Sequence, residues 1–282
     1  MSLLNKIGIM QGRLSPPKNN LIQHFPKNWR VEFNHCQSLG LKSIEWIFEE
    51  HDIKFNPIFN PEFFKNFLIQ KKMFGVEVNS VVADYFMKNK LFQENDVCLK
   101  QNLITLKKLI INCNKLNIKI IELPLVDSSS LKNEKNMQEF KSNISDVLNF
   151  AKRLKVKISL ETDLEPKKFF NYIKTFNSTN LYINFDMGNS ASFGFDPEKE
   201  IEILSRYIIN VHIKDRVYKG NTIELGKGDV DFKKVFKMLK KIGYNGDLIL
   251  QAYREDINNN NKNYLKTIEK YKNFTITQIN NA

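Results

Sequence analysis

Three short runs in the second half of the chain each lead an apolar segment into a side chain that can bind a metal or carry a proton. They are Ile158-Ser159-Leu160-Glu161, Tyr182-Ile183-Asn184-Phe185-Asp186 and Ile209-Asn210-Val211-His212, the last continuing as Ile213-Lys214-Asp215. Successive runs are spaced by about 25 residues, the length of one strand plus one crossover helix. In a parallel barrel, neighbouring strands deliver their C-terminal ends to one face, so Glu161, Asp186 and His212 are expected to converge on one small volume. Two carboxylates and an imidazole suit a single divalent cation, and Mg²⁺, Mn²⁺ and Zn²⁺ all fit such a set. That convergence is the reason to expect an enzyme.

The elements that must position these groups are readable as short apolar runs bounded by polar turns. Eight strands are predicted, near 6–11, 43–46, 76–82, 118–123, 156–161, 181–186, 208–213 and 247–252. Most are continuous in Ile, Val and Leu, as strands buried on both faces should be. Helical periodicity is clearest over 95–116, 134–154 and 231–242. Pro61, Pro166 and Pro197 stand where first-turn prolines stand, and Gly40, Gly75 and Gly243 each close a helix before a strand. Eight alternations of strand and helix point to an α/β fold, a (β/α)8 TIM barrel spanning residues 1–282 as one domain, with about 273–282 a loose tail. An open doubly wound sheet is disfavoured, because the first strand runs into Gln11-Gly12-Arg13-Leu14 and not into a glycine-rich phosphate loop.

Composition narrows the class. With 42% hydrophobic and 26% charged residues in 282, the chain has ample material for a core. No apolar stretch approaches the roughly 20 residues of a membrane helix. The opening Met1-Ser2-Leu3-Leu4-Asn5-Lys6 lacks the apolar core of a secretory signal, so the expected location is cytoplasmic, with no membrane partner. Cys36, Cys98 and Cys113 are too few and scattered for a disulfide framework and read as buried or half-buried small hydrophobes on helices. The net charge of +12 and pI near 9.4 raise a nucleic-acid reading. The lysines are spread over helix faces, as in Lys71-Lys72, Lys107-Lys108 and Lys240-Lys241, with no arginine-aromatic stripe, so no nucleic-acid partner is expected. An attraction for anionic metabolites fits the charge better.

In barrel enzymes the strand ends hold the chemical inventory. Here it reads Gln11 and Arg13, Glu45, Asp84, Glu122, Glu161, Asp186, His212 and Gln251, an acid, base or amide at most of eight consecutive positions. Taken with Ile9-Met10-Gln11-Gly12-Arg13-Leu14-Ser15, Gly40-Leu41-Lys42-Ser43-Ile44-Glu45, Asp186-Met187-Gly188-Asn189, His212-Ile213-Lys214-Asp215 and Leu225-Gly226-Lys227-Gly228-Asp229-Val230-Asp231-Phe232, the chain resembles the sugar phosphate isomerase/epimerase family with a xylose-isomerase-like barrel. The likeness runs over nearly its whole length. It implies a divalent metal held by residues from the fifth to eighth strands, here Glu161, Asp186, His212 and Gln251, with the first and last of these also serving as the acid–base pair. The chain departs from the pattern at Gln251, where the family has glutamate; Glu255 is an alternative counterpart.

An amide oxygen can still ligate a hard cation, but it cannot accept a proton near neutral pH. The chemistry implied is proton abstraction next to a carbonyl through an enediolate, with Glu161 as base and Lys214 placed to polarise a substrate oxygen. One base suffices for aldose–ketose isomerisation, which Gln251 therefore favours over two-base epimerisation unless Asp84, Glu122 or Asp215 substitutes. The substrate expected is a small sugar or sugar phosphate, and a homodimer is possible. Arg13, Glu45, Asp84, Glu122, Asp215 and Arg254 are the candidates for substrate contact, Arg13 by a bidentate grip on phosphate or carboxylate. The amides of Gly226 and Gly228 are open to an anion, and Trp46, Tyr85, Phe86 and Tyr253 could wall a sugar. Rival readings are a non-catalytic or altered-activity sugar-binding barrel, a related dehydratase, and a DNA-repair endonuclease. The last needs several strand-end histidines, whereas His24, His35 and His51 lie in loop or helix contexts.

Overall fold

Short strands of Ile, Val and Leu, buried on both faces, pair in parallel and close on themselves in this computed structural model, which describes residues 3–16, 23–131, 133–254 and 263–282. The barrel strands are β1 (Ile7–Met10), β2 (Ile44–Ile47), β3 (Ser80–Val82), β4 (Ile120–Leu125), β5 (Lys157–Thr162), β6 (Leu181–Asp186), β7 (Ile208–Ile213) and β10 (Asp247–Leu250). Each pairs with its sequence neighbour, and β10 closes the ring between β7 and β1. A two-stranded antiparallel ribbon, β8 (Asp215–Arg216) and β9 (Thr222–Ile223), stands above the end of β7. The outer layer comprises α1 (Arg30–Ser38), α2 (Phe64–Phe74), α3 (Tyr85–Lys88), α4 (Asp96–Lys115), α5 (Glu134–Arg153), α6 (Pro166–Thr175), α7 (Met187–Phe193), α8 (Pro197–Leu204), α9 (Phe232–Lys241) and α10 (Tyr264–Asn280), with short 3-10 turns between some of them. Among the described residues no helix is long and apolar enough to cross a membrane.

The two-residue repeat of a strand decides what enters the lumen. On β1, β2, β3 and β10 the inward residues Met10, Ile47, Val82 and Ile249 form a small apolar cluster of their own. Beside it, Glu45, Glu122, Asn184, Asn210 and His212 are buried on β2, β4, β6 and β7. The lumen thus holds an apolar patch next to a densely polar one, with Ile249 paired to His212 and Val82 to Glu122. The helices pack outside against the opposite faces of the strands. Trp46 lies in that outer core, with the rings of Trp29, Phe33 and Phe67 between 5.0 and 5.9 Å from its own. Gly8 has no room for a side chain, because a Cβ there would collide with Ser43 Oγ just before β2.

The closed eight-stranded parallel barrel agrees with the expectation from sequence, with four differences. The third strand covers Ser80–Val82 and not 76–82, since Glu77 makes one isolated bridge to Ser43 and Asn79 turns its side chain to Asp247 before regular pairing begins. The fourth strand extends to Leu125, which places Glu122 inside it and not at its end. Residues 273–282, expected to be a loose tail, mostly belong to α10, which seats Thr275 and Ile279 in the core. Cys36 and Cys113 are buried, but Cys98 is exposed near the start of α4. Glu255 and most of the Asn-rich loop 258–263 lie outside the described residues.

Candidate functional site

The imidazole of His212, wholly buried, is the hub of the polar side of the lumen. Its Nε2 lies 2.6 Å from Glu45 Oε2 and 3.2 Å from Glu122 Oε2; its Nδ1 lies 3.5 Å from Glu161 Oε2 and 3.9 Å from Asp186 Oδ2. Asn210 steadies Glu45 through Nδ2 (2.7 Å) and also donates to Asn184 Oδ1 (3.0 Å). Burial works against charging the ring, but the Glu122 and Glu45 carboxylates outweigh it, and the His212 pKa is raised well above its ordinary value. Burial likewise pushes Glu122 well up, only partly offset by His212.

Glu161 is placed differently. Asn184 Nδ2 donates to its Oε2 at 2.8 Å and Asn189 Nδ2 to its Oε1 at 2.5 Å. Burial would raise its pKa, yet the hydrogen bond with His212 and the nearby Lys214 ammonium prevail and pull it down to about 2. It is therefore held ionised. Asp186 ends β6 and caps α7, its Oδ1 accepting from the Asn189 amide at 2.8 Å. Its buried Oδ2 has no aligned hydrogen bond and sits 2.6 Å from Lys214 Nζ. Lys214 in turn donates to Gln251 Oε1 at 3.2 Å, so one ammonium stands between Asp186 and the glutamine of the eighth barrel strand.

Above this floor opens a cavity of about 570 Å³ whose walls include Asp84, Glu122, Glu161, Lys214, Gln251 and Tyr253. Asn189 and Arg216, absent from the expected set, also face it. Arg216 donates to Asn189 Oδ1 at 2.7 Å and to Gly220 O from two nitrogens, which fixes its head against the β8–β9 ribbon. Gln23 reaches in from the loop before α1, donating to Asp84 Oδ2 at 2.5 Å and accepting from Gln251 Nε2 at 3.2 Å. Strand alternation could have found two of the missed groups, because Asn184 shares a face with Asp186 and Arg216 with Lys214. No local signal marks Gln23.

The other expected substrate contacts lie elsewhere. Arg13 is buried, donating from Nε to Ala252 O at 3.1 Å, and burial beside Arg254 lowers its pKa to about 9. Arg254 bonds the carbonyls of Gly12 and Ser15. Both guanidiniums tie the loop after β1 to the chain after β10, and neither lines the cavity. Glu45 is sealed beneath His212. Asp215 turns away from the cavity and accepts from the amides of Gly226 (2.8 Å), Gly228 (2.9 Å) and Val230 (3.2 Å). The anion those glycine amides approach is therefore the chain's own carboxylate, and a Cβ at Gly228 would collide with it. Trp46 and Phe86 are core residues, Tyr85 packs on Phe48, and only Tyr253 of the four aromatics walls the cavity.

The donor set fits a divalent cation. Glu161, Asp186 and His212 can each offer one atom, all within 4.8 Å of one another. Glu45 lies at Nε2 as the outer partner, which leaves Nδ1, 3.1 Å from Asn184 Nδ2 in this structure, as the atom the ring would offer to a cation once it gives up its proton. Four carboxylates crowd one imidazole and one ammonium, and Asp186 Oδ2 lacks an aligned donor. Glu45, Glu122 and His212 also lie close enough together, but of these three only Glu122 reaches the cavity wall, and Glu45 is buried beneath the ring.

A model of the xylose isomerase-like TIM barrel family matches residues 33–274. L-ribulose-5-phosphate 3-epimerase UlaE of Salmonella paratyphi A is 26% identical over 194 residues, 66% of this chain and 68% of that protein. Among solved structures, an L-ribulose 3-epimerase superposes with a TM-score of 0.77 at 15% identity, covering 99% of this chain and 95% of the other. The IOLI protein, solved with a zinc atom, superposes with a TM-score of 0.75 at 16% identity, covering 97% of this chain and 98% of the other. At such identities the superpositions speak for the fold alone. The sequence match is independent of them, beginning within α1 and ending within α10, so that it takes in seven of the eight barrel strands. On that ground the chain belongs to the xylose isomerase-like TIM barrel family.

Proposed function

We propose that this chain is a divalent-metal-dependent isomerase of keto-sugars or their phosphates, working by proton abstraction beside the carbonyl. The observation that carries the reading is the position of Glu161, ionised, clamped by two amides, on the wall of a cavity and beside His212 and Asp186. Glu161, Asp186 and His212 would hold the cation, with the amide oxygen of Gln251 a fourth donor once Lys214 moves off it. Bound there, the cation would draw charge from the substrate's carbonyl oxygen, which acidifies the adjacent C–H and stabilises the enediolate. Asn184 and Asn189 fix the Glu161 carboxylate, so that it meets the substrate carbon in one orientation. Lys214 and Arg216 put positive charge on the cavity wall, which suits an anionic sugar phosphate.

Glu161 alone can carry a proton between adjacent carbons on one face, which is aldose–ketose isomerisation. Epimerisation at C3, the reaction in the name of the UlaE relative, needs a second group on the other face, and the neutral amide of Gln251 cannot be that group. The experiment is metal analysis of the purified protein, followed by a solvent-deuterium exchange screen by NMR over L-ribulose 5-phosphate, D-ribulose 5-phosphate and D-fructose. About one metal per chain and metal-dependent deuterium uptake beside a carbonyl are expected. No uptake from any of the three by metal-loaded protein overturns the reading.

A further inference from the structure

We propose that Asp84 is the second acid–base residue, serving the substrate face opposite Glu161, so that the chain can epimerise a keto-sugar at C3 although Gln251 occupies the eighth strand. The inference rests on the reading of Glu161 as the base of an enolisation.

The register of the barrel supports it. Val82 is paired with Glu122, and Pro124, two residues farther along the same strand, with Glu161. Asp84, two residues beyond Val82, therefore has the inward parity of Val82 and the height of Pro124 and Glu161. It stands two staves from Glu161, a backbone separation of about 10 Å at one interstrand spacing per step. Two carboxyl side chains reaching inward across that gap leave room for one carbon between them. Both line the same cavity.

Asp84 also stands where an aspartate would ordinarily cap a helix, just before α3, yet it makes no capping hydrogen bond. Its side chain turns to the cavity and accepts from Gln23, whose own amide oxygen accepts from Gln251. A carboxylate is thereby brought within two hydrogen bonds of the position that lost one. Burial raises the Asp84 pKa to about 6 despite the Gln23 hydrogen bond, with Glu49 and Glu161 adding to the rise and His212 opposing it. A group in that range can hold or release a proton near neutrality. Two further acids line the cavity: Glu122 is committed to the His212 ring at 3.2 Å, and Asp127 is exposed.

In the forward step the Glu161 carboxylate takes the C3 proton, the C–H electron pair passes into the enediolate, and Asp84 in its acid form gives a proton to the opposite face of C3. Glu161 is left protonated and Asp84 ionised, and proton exchange with water resets both. The reverse epimer uses the same pair in exchanged roles.

The test uses both C3 epimers, L-ribulose 5-phosphate and L-xylulose 5-phosphate, in deuterium oxide with wild-type protein, Asp84→Asn and Glu161→Gln. The metal content of each protein is measured and deuterium at C3 is read by NMR. Wild type is expected to interconvert the epimers. Each variant should lose interconversion by at least ~100-fold, the lower bound for losing a general acid–base group. Asp84→Asn should keep deuterium uptake, within a few-fold, from the epimer whose proton faces Glu161. Glu161→Gln, assayed with metal in excess because it also removes a cation donor, should label only the other epimer. The two variants should keep opposite epimers. Retained uptake also shows that a variant is folded. An Asp84→Asn protein that interconverts the epimers within a few-fold of wild type, or that loses uptake from both, overturns the role of Asp84 while leaving that of Glu161 standing. A Glu161→Gln protein that labels both epimers as wild type does overturns the underlying reading. A wild type that takes up deuterium without forming the other epimer overturns the two-face proposal alone.

Discussion

Two buried clusters of acids and bases lie within this barrel, and their difference separates chemistry from scaffolding. One surrounds His212 at the strand ends. The other surrounds Glu32 of α1, which accepts from the Gly12 amide at 2.9 Å and the Ser15 hydroxyl at 2.9 Å, with Arg254 on the carbonyls of the same loop. Both contain a buried carboxylate near a cation. The Glu32 clamp closes on the backbone of one loop and a single hydroxyl in it, so its charges fasten the loop after β1 to the chain after β10. The His212 cluster closes on other side chains, holds more carboxylates than cations, and leaves Glu161 and Lys214 on a cavity wall. A charged group satisfied by backbone has a structural task; one held in place by side chains at a cavity is available to a ligand.

The largest effect that sharpens this contrast belongs to Glu161→Gln. General-base catalysis is worth about 10²–10⁴-fold, so epimer interconversion should fall by roughly 10³-fold. The urea midpoint should barely move, because the amide can still meet Asn184 or Asn189. A variant that unfolds more easily and keeps its rate would place Glu161 with the scaffolding.

Arg254→Ala is the mirror case. Removing the guanidinium strands the buried Gly12 and Ser15 carbonyls, which costs about 1–3 kcal/mol for each group left unsatisfied. Urea denaturation should report that loss, while metal bound per folded chain stays at the wild-type value. Loss of metal with unchanged stability would assign Arg254 to the site after all.

The barrel was legible because its signal is repeated. Eight apolar runs at regular spacing, with Pro166 and Pro197 opening helices and Gly75 and Gly243 closing them, leave little freedom of topology. Glu161, Asp186 and His212 were legible for the same reason, since each ends a run whose length sets its height in the barrel. Arg13, Arg254 and Asp215, expected at the substrate, are engaged by the chain itself, because a sequence shows charge without showing its partner. The carbonyls of Ala252, Gly12 and Ser15 and the amides of the glycine loop, which claim those side chains, carry no residue-type signature. Gln23 was invisible because it comes from a loop, where no period relates a residue to the cavity it enters.

The clamp has its own dependence on pH. Burial raises Glu32 from 4.5 to about 7 in the folded protein, against the hydrogen bonds from Gly12 and Ser15. Between those values the native state binds more protons than the unfolded chain, so stability falls as pH rises through the window from about 4.5 to 7. The full difference corresponds to about 3 kcal/mol at one pK unit per 1.36 kcal/mol, as an order of magnitude. Glu200, raised to about 7 by burial against its bond from Ser190, adds a slope of the same sign. Urea midpoints measured from about pH 4.5 to 7.5 should decline, and Glu32→Gln should flatten the decline by its share. An unchanged slope in that variant would show that the carboxylate is not buried as the clamp requires.

The smallest effect concerns the site, at Gln251. Restoring glutamate there adds a fourth charged donor to the cation set and gives Lys214 an anion in place of an amide. The two consequences oppose each other, because a firmer pair between Lys214 and the new carboxylate competes with the cation for the same oxygen. The cation carries twice the charge of the ammonium and meets Glu161 and Asp186 as well, so it should win. Metal affinity is expected to rise by roughly 10-fold, one unit of log K or about 1.4 kcal/mol, by competition with a chelator. Gln251→Glu with unchanged affinity would show that Lys214 holds this corner against the metal, and would reduce the ligand set to Glu161, Asp186 and His212. Coupled with Lys214→Met, the same substitution separates the two effects. If the ammonium is the competitor, removing it raises the gain above roughly 10-fold, whereas a carboxylate too far away to ligate leaves the affinity of both variants where the wild type has it.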